Sequence, residues 1–337
     1  MRRALLLPIG WLSAFGAVVG VLASGPAWLG EASLQNLIEF FGLLALAQMW
    51  NLLAGYAGLI SIGQQAFIGI GGYALFVLAD RAGIGPFWSI ALAGLVAAAL
   101  SLPAAALAFR LRAGYFAIGT WVIAEVVRLL VVNWQYVGGG DGESVYASIQ
   151  LDPTRRLHGS YFWALAVAAA SVLGTYLLLR TRLGLALTAI RDEETAARSV
   201  GVNVLRTRIL VWVVAAFGCG LVGAITAVRT FSVRPDAAFD VTQTAYMIFI
   251  VVIGGIGTIE GPIIGAIVFF ALQQEFSEQG TWYLIGVGAI AVAAAVWIRG
   301  GIWGVVGRRL GLHLFPVQRR ARVSDATSRP GSAPSPP

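Results

Sequence analysis

Apolar runs long enough to cross a bilayer recur along almost the whole chain, separated by short loops that carry arginine. A spanning helix needs about 20 mostly apolar residues. Backbone polar groups at that depth must also be satisfied within the protein. Together these demands select a helical bundle. Full spans are expected at roughly 4–23, 34–54, 59–79, 86–109, 115–133, 161–180, 207–228 and 281–298. The expected class is all-α, a polytopic transmembrane helix bundle with broken or re-entrant helices. Charged residues make up 12% of the chain and mean hydropathy is +0.80, about half the charge of a soluble domain. No stretch is left for a soluble catalytic domain, and 42 glycines allow helices to approach closely.

All 23 basic residues are arginine. A phosphate-binding P-loop needs its lysine, so this chain cannot hold ATP in one. Cys219, the single cysteine, lies in an apolar run and reads as a small packing residue. The net charge of +7 is scattered between spans, which fits topology rather than nucleic acid. Short arginine-rich loops stay in the cytoplasm. Arg2 and Arg3 precede the first run, Arg110 and Arg112 follow the fourth, and Arg180, Arg182, Arg191, Arg198, Arg206 and Arg208 follow the sixth. These positions are therefore expected inside, and loop 134–160, with Asp141, Glu143, Asp152, Arg155 and Arg156, outside. A signal peptide shares the pattern of two arginines, an apolar run and small residues near Ala23. The length of the run and the parity of the crossings favour a retained anchor.

Residues 244–276 contain two apolar runs split by Gly254-Gly255-Ile256-Gly257-Thr258-Ile259-Glu260-Gly261-Pro262. A helical hairpin here returns the chain outside, places Glu278 there, and brings the basic tail with Arg308 and Arg309 back to the cytoplasm. Residues 1–300 thus form the membrane domain, with about eight full spans plus this hairpin. Residues 301–337 form a cytoplasmic basic tail, disordered at its Ser- and Pro-rich end.

The segment 191–204 is too charged for hydrocarbon and must lie at a membrane face. Ala189, Ala196, Ala197, Val200 and Val204 share one side at helical spacing, with Arg191, Glu194 and Arg198 on the other. Gly201 suits the left-handed position that ends a helix. An alanine face inserts poorly into lipid, which favours docking on a soluble partner over an interfacial helix.

Several polar residues lie in or near spans. Glu39, Gln48, Asn51, Gln64 and Gln65 either line a path or bond between helices. Glu125 and Arg128 share a helix face, and a neutralising pair reads as structural. The glycine-rich breaks at 55–72 and 254–266 fit either a transporter's midplane site or close helix packing. His158 and His313 lie outside the spans, so no catalytic or metal constellation can be assembled.

The chain resembles the LivM-type permease of branched-chain amino acid ABC importers. The resemblance rests on the blocks starting at Asn51, Phe67, Tyr115 (followed by Glu125 and Arg128), Ala189 and Val252, in the family's order over most of residues 34–300. Glu193, Glu194, Ala196, Ala197 and Gly201 look like an EAA-type coupling loop. The chain departs at Gln64, where the family commonly has histidine. The resemblance implies an inner-membrane, multi-pass, non-enzymatic subunit with both termini cytoplasmic. It implies transport of branched-chain amino acids or similar small polar solutes; urea, short amides, other carboxylates and an ion-coupled mechanism are the alternatives. It further implies two ATPase subunits carrying ATP and magnesium, a LivH-type second permease chain and an extracytoplasmic substrate-binding protein. Arg191, Asp192, Glu193, Glu194, Ala196, Ala197 and Gly201 would couple to the ATPase. Asn51, Gln64, Gln65, Glu125, Gly254, Gly255, Gly257 and Glu260 would border the path. Neither a cofactor nor a metal is expected on this chain.

Overall fold

The computed structural model describes residues 2–111, 114–276, 286, 288, 289 and 300–310. The expected span at 281–298, apart from three isolated positions, lies outside the described residues, as do Glu278, His313 and the tail beyond Leu310.

The chain runs through α1 (Arg2–Ala23), α2 (Glu31–Asn51), α3 (Gln65–Phe76), α4 (Pro86–Ala108) and α5 (Gly114–Val132). A short α6 (Tyr146–Ile149) precedes α7 (Pro153–Arg180). Two small helices, α8 (Arg182–Asp192) and α9 (Glu194–Ser199), lead into α10 (Val204–Thr230). Then come α11 (Pro235–Ala238), α12 (Val241–Gly254), α13 (Glu260–Phe276) and α14 (Gly301–Leu310). Among the described residues, six helices are long and apolar enough to cross a membrane. This is a polytopic helical bundle. Its only described strands, β1 (Glu143–Ser144) and β2 (Ser232–Val233), pair antiparallel.

Two helices differ from the expected spans for identifiable reasons. α7 starts earlier because the Asp152 side chain accepts from the Arg155 N–H and Pro153 occupies the first turn. The run at 59–79 is not one continuous helix. α2 ends in a π-helical turn (Leu52–Tyr56), residues 58–64 are irregular, and α3 starts only at Gln65.

The bundle has two chemically distinct ends. At one, Arg191 meets Gly55, and Asn51 meets Gly257 and Thr258. At the other, β1 meets β2, and Asp80 accepts from the Tyr146 and Ala147 N–H groups at 3.1 and 2.6 Å. Arg110, Arg180, Arg182, Arg191, Arg198, Arg206 and Arg208 crowd the first end and outnumber its acids. At the second, Asp80, Asp141, Glu143, Asp152, Asp236 and Asp240 offset the arginines.

Small residues set the packing of the centre. A Cβ on Gly71 would meet the Gly220 carbonyl, one on Gly223 the Ile68 carbonyl, and one on Gly220 the Ala97 methyl. Helices α3, α4 and α10 therefore touch backbone to backbone, the way helices associate where no water drives them together. Trp212 closes this stack, edge-on to Phe67, Phe109 and Phe116 at 5.5, 5.7 and 6.0 Å. Its indole N–H donates to the Ser101 carbonyl at 3.0 Å. We expect Gly223→Val to lower the thermal midpoint of the detergent-solubilised protein, since overpacking costs about 1–3 kcal/mol. Gly174→Val, with nothing within 4 Å, should leave it unchanged. Equal midpoints for the two variants would refute the packing role.

Candidate functional site

The charged segment between α7 and α10 is built from local capping rather than from one helix. Thr181 accepts from the Leu183 N–H and starts α8. At Glu193 the chain turns extended, φ −157°, so the charged segment is divided where 191–204 suggested continuity. The Glu193 carboxylate then accepts from the Thr195 N–H and caps α9. Gly201 sits at φ +85°, with its N–H donating to Arg198 and the Val202 N–H donating to Ala197. That pair of bonds is the Schellman ending that glycine permits. Asn203 caps α10 by accepting from the Arg206 N–H at 3.0 Å.

The small-residue side is split between two surroundings. Ala197 is buried against Ile190 and Val204 and holds α9 onto α8 and α10. Ala196 is exposed, and Leu185, Val200 and Leu205 are exposed with it, Val200 at 78%. The charges also do more than rim this surface. Glu194 accepts from Arg198 at 2.6 Å and from Arg208 at 2.8 Å, clamping α9 to α10. The Arg198 hydrogen bond, helped by Arg208, holds the Glu194 carboxyl below its ordinary value of 4.5. Because the folded value is depressed, the clamp's contribution is complete above the ordinary value and is lost as pH falls through the lowered one. The labelling rate of Thr195→Cys, divided by that of a free thiol at the same pH, should therefore stay flat above the ordinary carboxyl value and rise as pH falls through the lowered one. Glu194→Gln should label fast throughout; equal rates for the two proteins would refute the clamp.

Arg191 joins this segment to the membrane helices. Its Nη1 donates to the Gly55 carbonyl at 2.9 Å, while Nη2 and Nε hold Asp192 at 3.1 and 3.2 Å. In the π-helical turn the regular bonding pattern shifts, and the Gly55 carbonyl turns to the guanidinium. Asp192 is otherwise exposed. A Cβ on Gly55 would strike Asn51 and the Gly257 backbone, so α2 and the second break lie against each other here.

That second break, residues 255–259, is held by two side chains of α2. Asn51 accepts from the Gly257 N–H at 2.8 Å and donates to the Thr258 carbonyl at 2.8 Å. Gln48 donates to the Ile259 carbonyl at 2.8 Å. Both amides are fully buried. The backbone groups freed by the break are thus met by protein, as membrane depth requires. Gly257 adopts φ +76°, which L side chains rarely adopt. Gly254 packs on Gly261 where α12 meets α13, and Gly255 lies against Gly300. Glu260 is 7% exposed in the first turn of α13, within electrostatic range of Tyr56.

The first break is held the same way at mid-bundle. Trp50 donates to the Ser61 carbonyl at 2.9 Å and Thr120 accepts from the Ile62 N–H at 3.1 Å. Gln64 donates to Ser61 Oγ at 3.2 Å and lies 3.6 Å from Cys219 Sγ. Thr244 donates to Gln65 Oε1 at 2.6 Å. Gln64, Gln65 and Thr244 are all buried.

Glu125 stands apart from both breaks. It pairs with Arg128 at 2.7 Å, and Arg128 also reaches Asp236 on α11 at 2.9 Å. The side chains of Glu125 and Asp236 are 45% and 88% exposed, so this triad fastens α5 to α11 near the surface. The structure therefore gathers Asn51, Arg191, Gly254, Gly255, Gly257 and Glu260 at one junction, places Gln64 and Gln65 mid-bundle, and leaves Glu125 outside. Gln48, Gly55 and Thr244 complete the two breaks. Gln48 stood out in the sequence only as a polar residue in a span, and Gly55 only as the start of the glycine-rich stretch at 55–72; the partner of Thr244 is 179 residues away, so nothing local marks it.

Against this geometry, the family described as branched-chain amino acid transport system / permease component matches residues 33–303. The chain is 28% identical over 312 residues to the high-affinity branched-chain amino acid transport system permease protein LivM of Escherichia coli (strain K12), covering 83% of this chain and 72% of that protein. It is also 36% identical over 136 residues to the fructose import permease protein FrcC of Rhizobium meliloti, covering 37% of each. A similar partial match, 27% over 147 residues, joins it to the xylose transport system permease protein XylH of Haemophilus influenzae, covering 42% of this chain and 39% of that protein. No solved structure matches it significantly.

Proposed function

We infer, since this chain belongs to the family of branched-chain amino acid transport system permease components, that it carries branched-chain amino acids across the inner membrane by moving about the Arg191 junction. It is a multi-pass permease subunit of an ABC importer, working with ATPase and binding-protein partners. The observation that carries the mechanism is one side chain, Arg191, in reach of both chain breaks.

ATP and magnesium sit on two separate ATPase subunits. These dock on the exposed patch of Leu185, Ala196, Val200 and Leu205, and the arginine excess at that end supports a cytoplasmic placement for it and for both termini. Closure of the ATPases pushes α8 and α9. Arg191 passes the push to the π-helical end of α2 and to the loop 255–259. The α12–α13 hairpin then shifts against the rest. The binding protein delivers substrate at the opposite end, and a LivH-type chain forms the other half of the pore. This chain contributes no catalytic residue and binds no cofactor or metal of its own.

The match to a branched-chain amino acid permease over 83% of the chain supports that substrate. A sugar is the second reading, favoured by the matches to fructose and xylose permeases over 37% and 42%. The test is a Val200→Cys label in a Cys219→Ala background. A membrane-impermeant thiol reagent should reach it from the cytoplasmic side only, and bound ATPase subunits should protect it. Labelling from outside refutes the orientation, and labelling unaffected by the ATPases refutes the docking surface. Uptake of labelled leucine against labelled xylose by the reconstituted complex decides the substrate.

A further inference from the structure

A cleft of about 110 Å³ opens between α2, α7, α10, α12 and α13, towards the end of the bundle away from Arg191. One water needs about 10–15 Å³ on this measure, so there is room for a small solute. None of the residues discussed at the breaks lines it. Its polar side is an ion pair, Arg229 Nη1 to Glu39 Oε2 at 3.3 Å, reached from α13 by Gln273, whose amide donates to Glu39 Oε1 at 2.9 Å. Its other side is aliphatic and aromatic: Ile38, Phe41, Leu46 and Ile225.

We propose that this cleft is a binding site for an aliphatic α-amino acid, with Arg229 taking the carboxylate and Glu39 the ammonium group. The proposal rests on the amino-acid reading of the function. Glu39 lies within the span of α2, where an ionisable group is costly and marks a substrate route, and Arg229 faces it from the last turn of α10. The pairing is loose and leaves capacity for a ligand. Among the described residues a single guanidinium N–H of Arg229 is engaged, out of five. Both side chains keep about a third of their surface open, 33% and 35%. Gln273 lines the cleft from α13 and holds the Glu39 carboxylate towards it. A zwitterion matches a paired cation and anion as neither a simple amine nor a simple acid does. The apolar wall beside them suits a branched hydrocarbon chain.

The test uses the complex with its partner subunits. L-leucine should raise the thermal midpoint of the wild type, whereas isocaproate, lacking the ammonium group, and isoamylamine, lacking the carboxylate, should not. Arg229→Gln and Glu39→Gln should each weaken leucine binding about tenfold to a hundredfold, the loss of one charge-assisted hydrogen-bonded contact. Arg229→Gln should also erase the preference for leucine over isoamylamine, and Glu39→Gln that over isocaproate. Because neutralising one partner can unfold the protein, a second probe leaves the pair intact. Thr226→Cys in a Cys219→Ala background should react with a maleimide, and leucine at ten times its dissociation constant should slow this about tenfold. Unprotected labelling, or folded variants that bind leucine as the wild type does, overturns the site and leaves the transport reading standing. A wild-type complex that takes up xylose and no branched-chain amino acid overturns that reading first, and the site with it.

Discussion

Arg191→Ala should yield a chain that inserts, folds and still recruits its ATPase subunits, yet transports about ten to a hundred times more slowly. The side chain bridges about the shortest route between the α8–α9 segment and the membrane helices, through one charge-assisted bond to the Gly55 carbonyl. Losing such a bond costs about 1.5–3 kcal/mol, which sets that range. ATP hydrolysis should continue but cease to respond to the loaded binding protein. Arg191→Lys should recover part of the rate, since an ammonium can reach the carbonyl but cannot hold Asp192 with the same planar fork. Wild-type uptake by the alanine variant in a folded complex would show that force reaches the bundle elsewhere.

Asn51→Leu has the larger expected effect on stability. Leucine has the same four side-chain heavy atoms in the same branching as asparagine but is bulkier, so a steric cost adds to the polar one. It strands the Gly257 N–H and the Thr258 carbonyl at membrane depth. Each orphaned group costs about 1–3 kcal/mol, about 2–6 kcal/mol for the two, against about 5–15 kcal/mol for an ordinary domain. We expect no detergent-stable protein from Asn51→Leu. Asn51→Asp keeps the acceptor for Gly257, loses the donor to Thr258 and should fall between. A leucine variant with an unchanged thermal midpoint would mean that the loop 255–259 draws nothing from α2.

Most of the bundle was legible because a spanning helix announces itself by length and hydropathy, needing no partner to be recognised. The cap at Gly201 was legible for a related reason: a left-handed ending is a local backbone demand that glycine answers. The start of α3 was not. Residues 58–64 are as apolar as their neighbours, and what keeps them from being helix is a set of side chains from other helices, Trp50 and Thr120 among them. Pattern within a segment carries no trace of such partners. The same holds for Glu194, which reads as a solvated charge until Arg208, fourteen residues on, is seen to reach it. Gly94 reads as an ordinary span glycine, yet a Cβ there would meet Leu221 and Phe217. Glu125 and Arg128 were legible as a pair, but not Asp236, which joins Arg128 from α11, 108 residues away.

The glycine contacts among α3, α4 and α10 restrict how such a protein can open. Where side chains interleave, helices can slide by small adjustments of rotamer. Here a carbonyl of one helix rests in the notch left by a missing Cβ on another. A slide of one residue would carry the Ile68 carbonyl and the Ala97 methyl out of the notches at Gly223 and Gly220 that receive them. These three helices therefore have a single register and behave as a fixed frame. The hinged parts of the machine must be found among the remaining helices, and those are the ones that Arg191 and Asn51 hold.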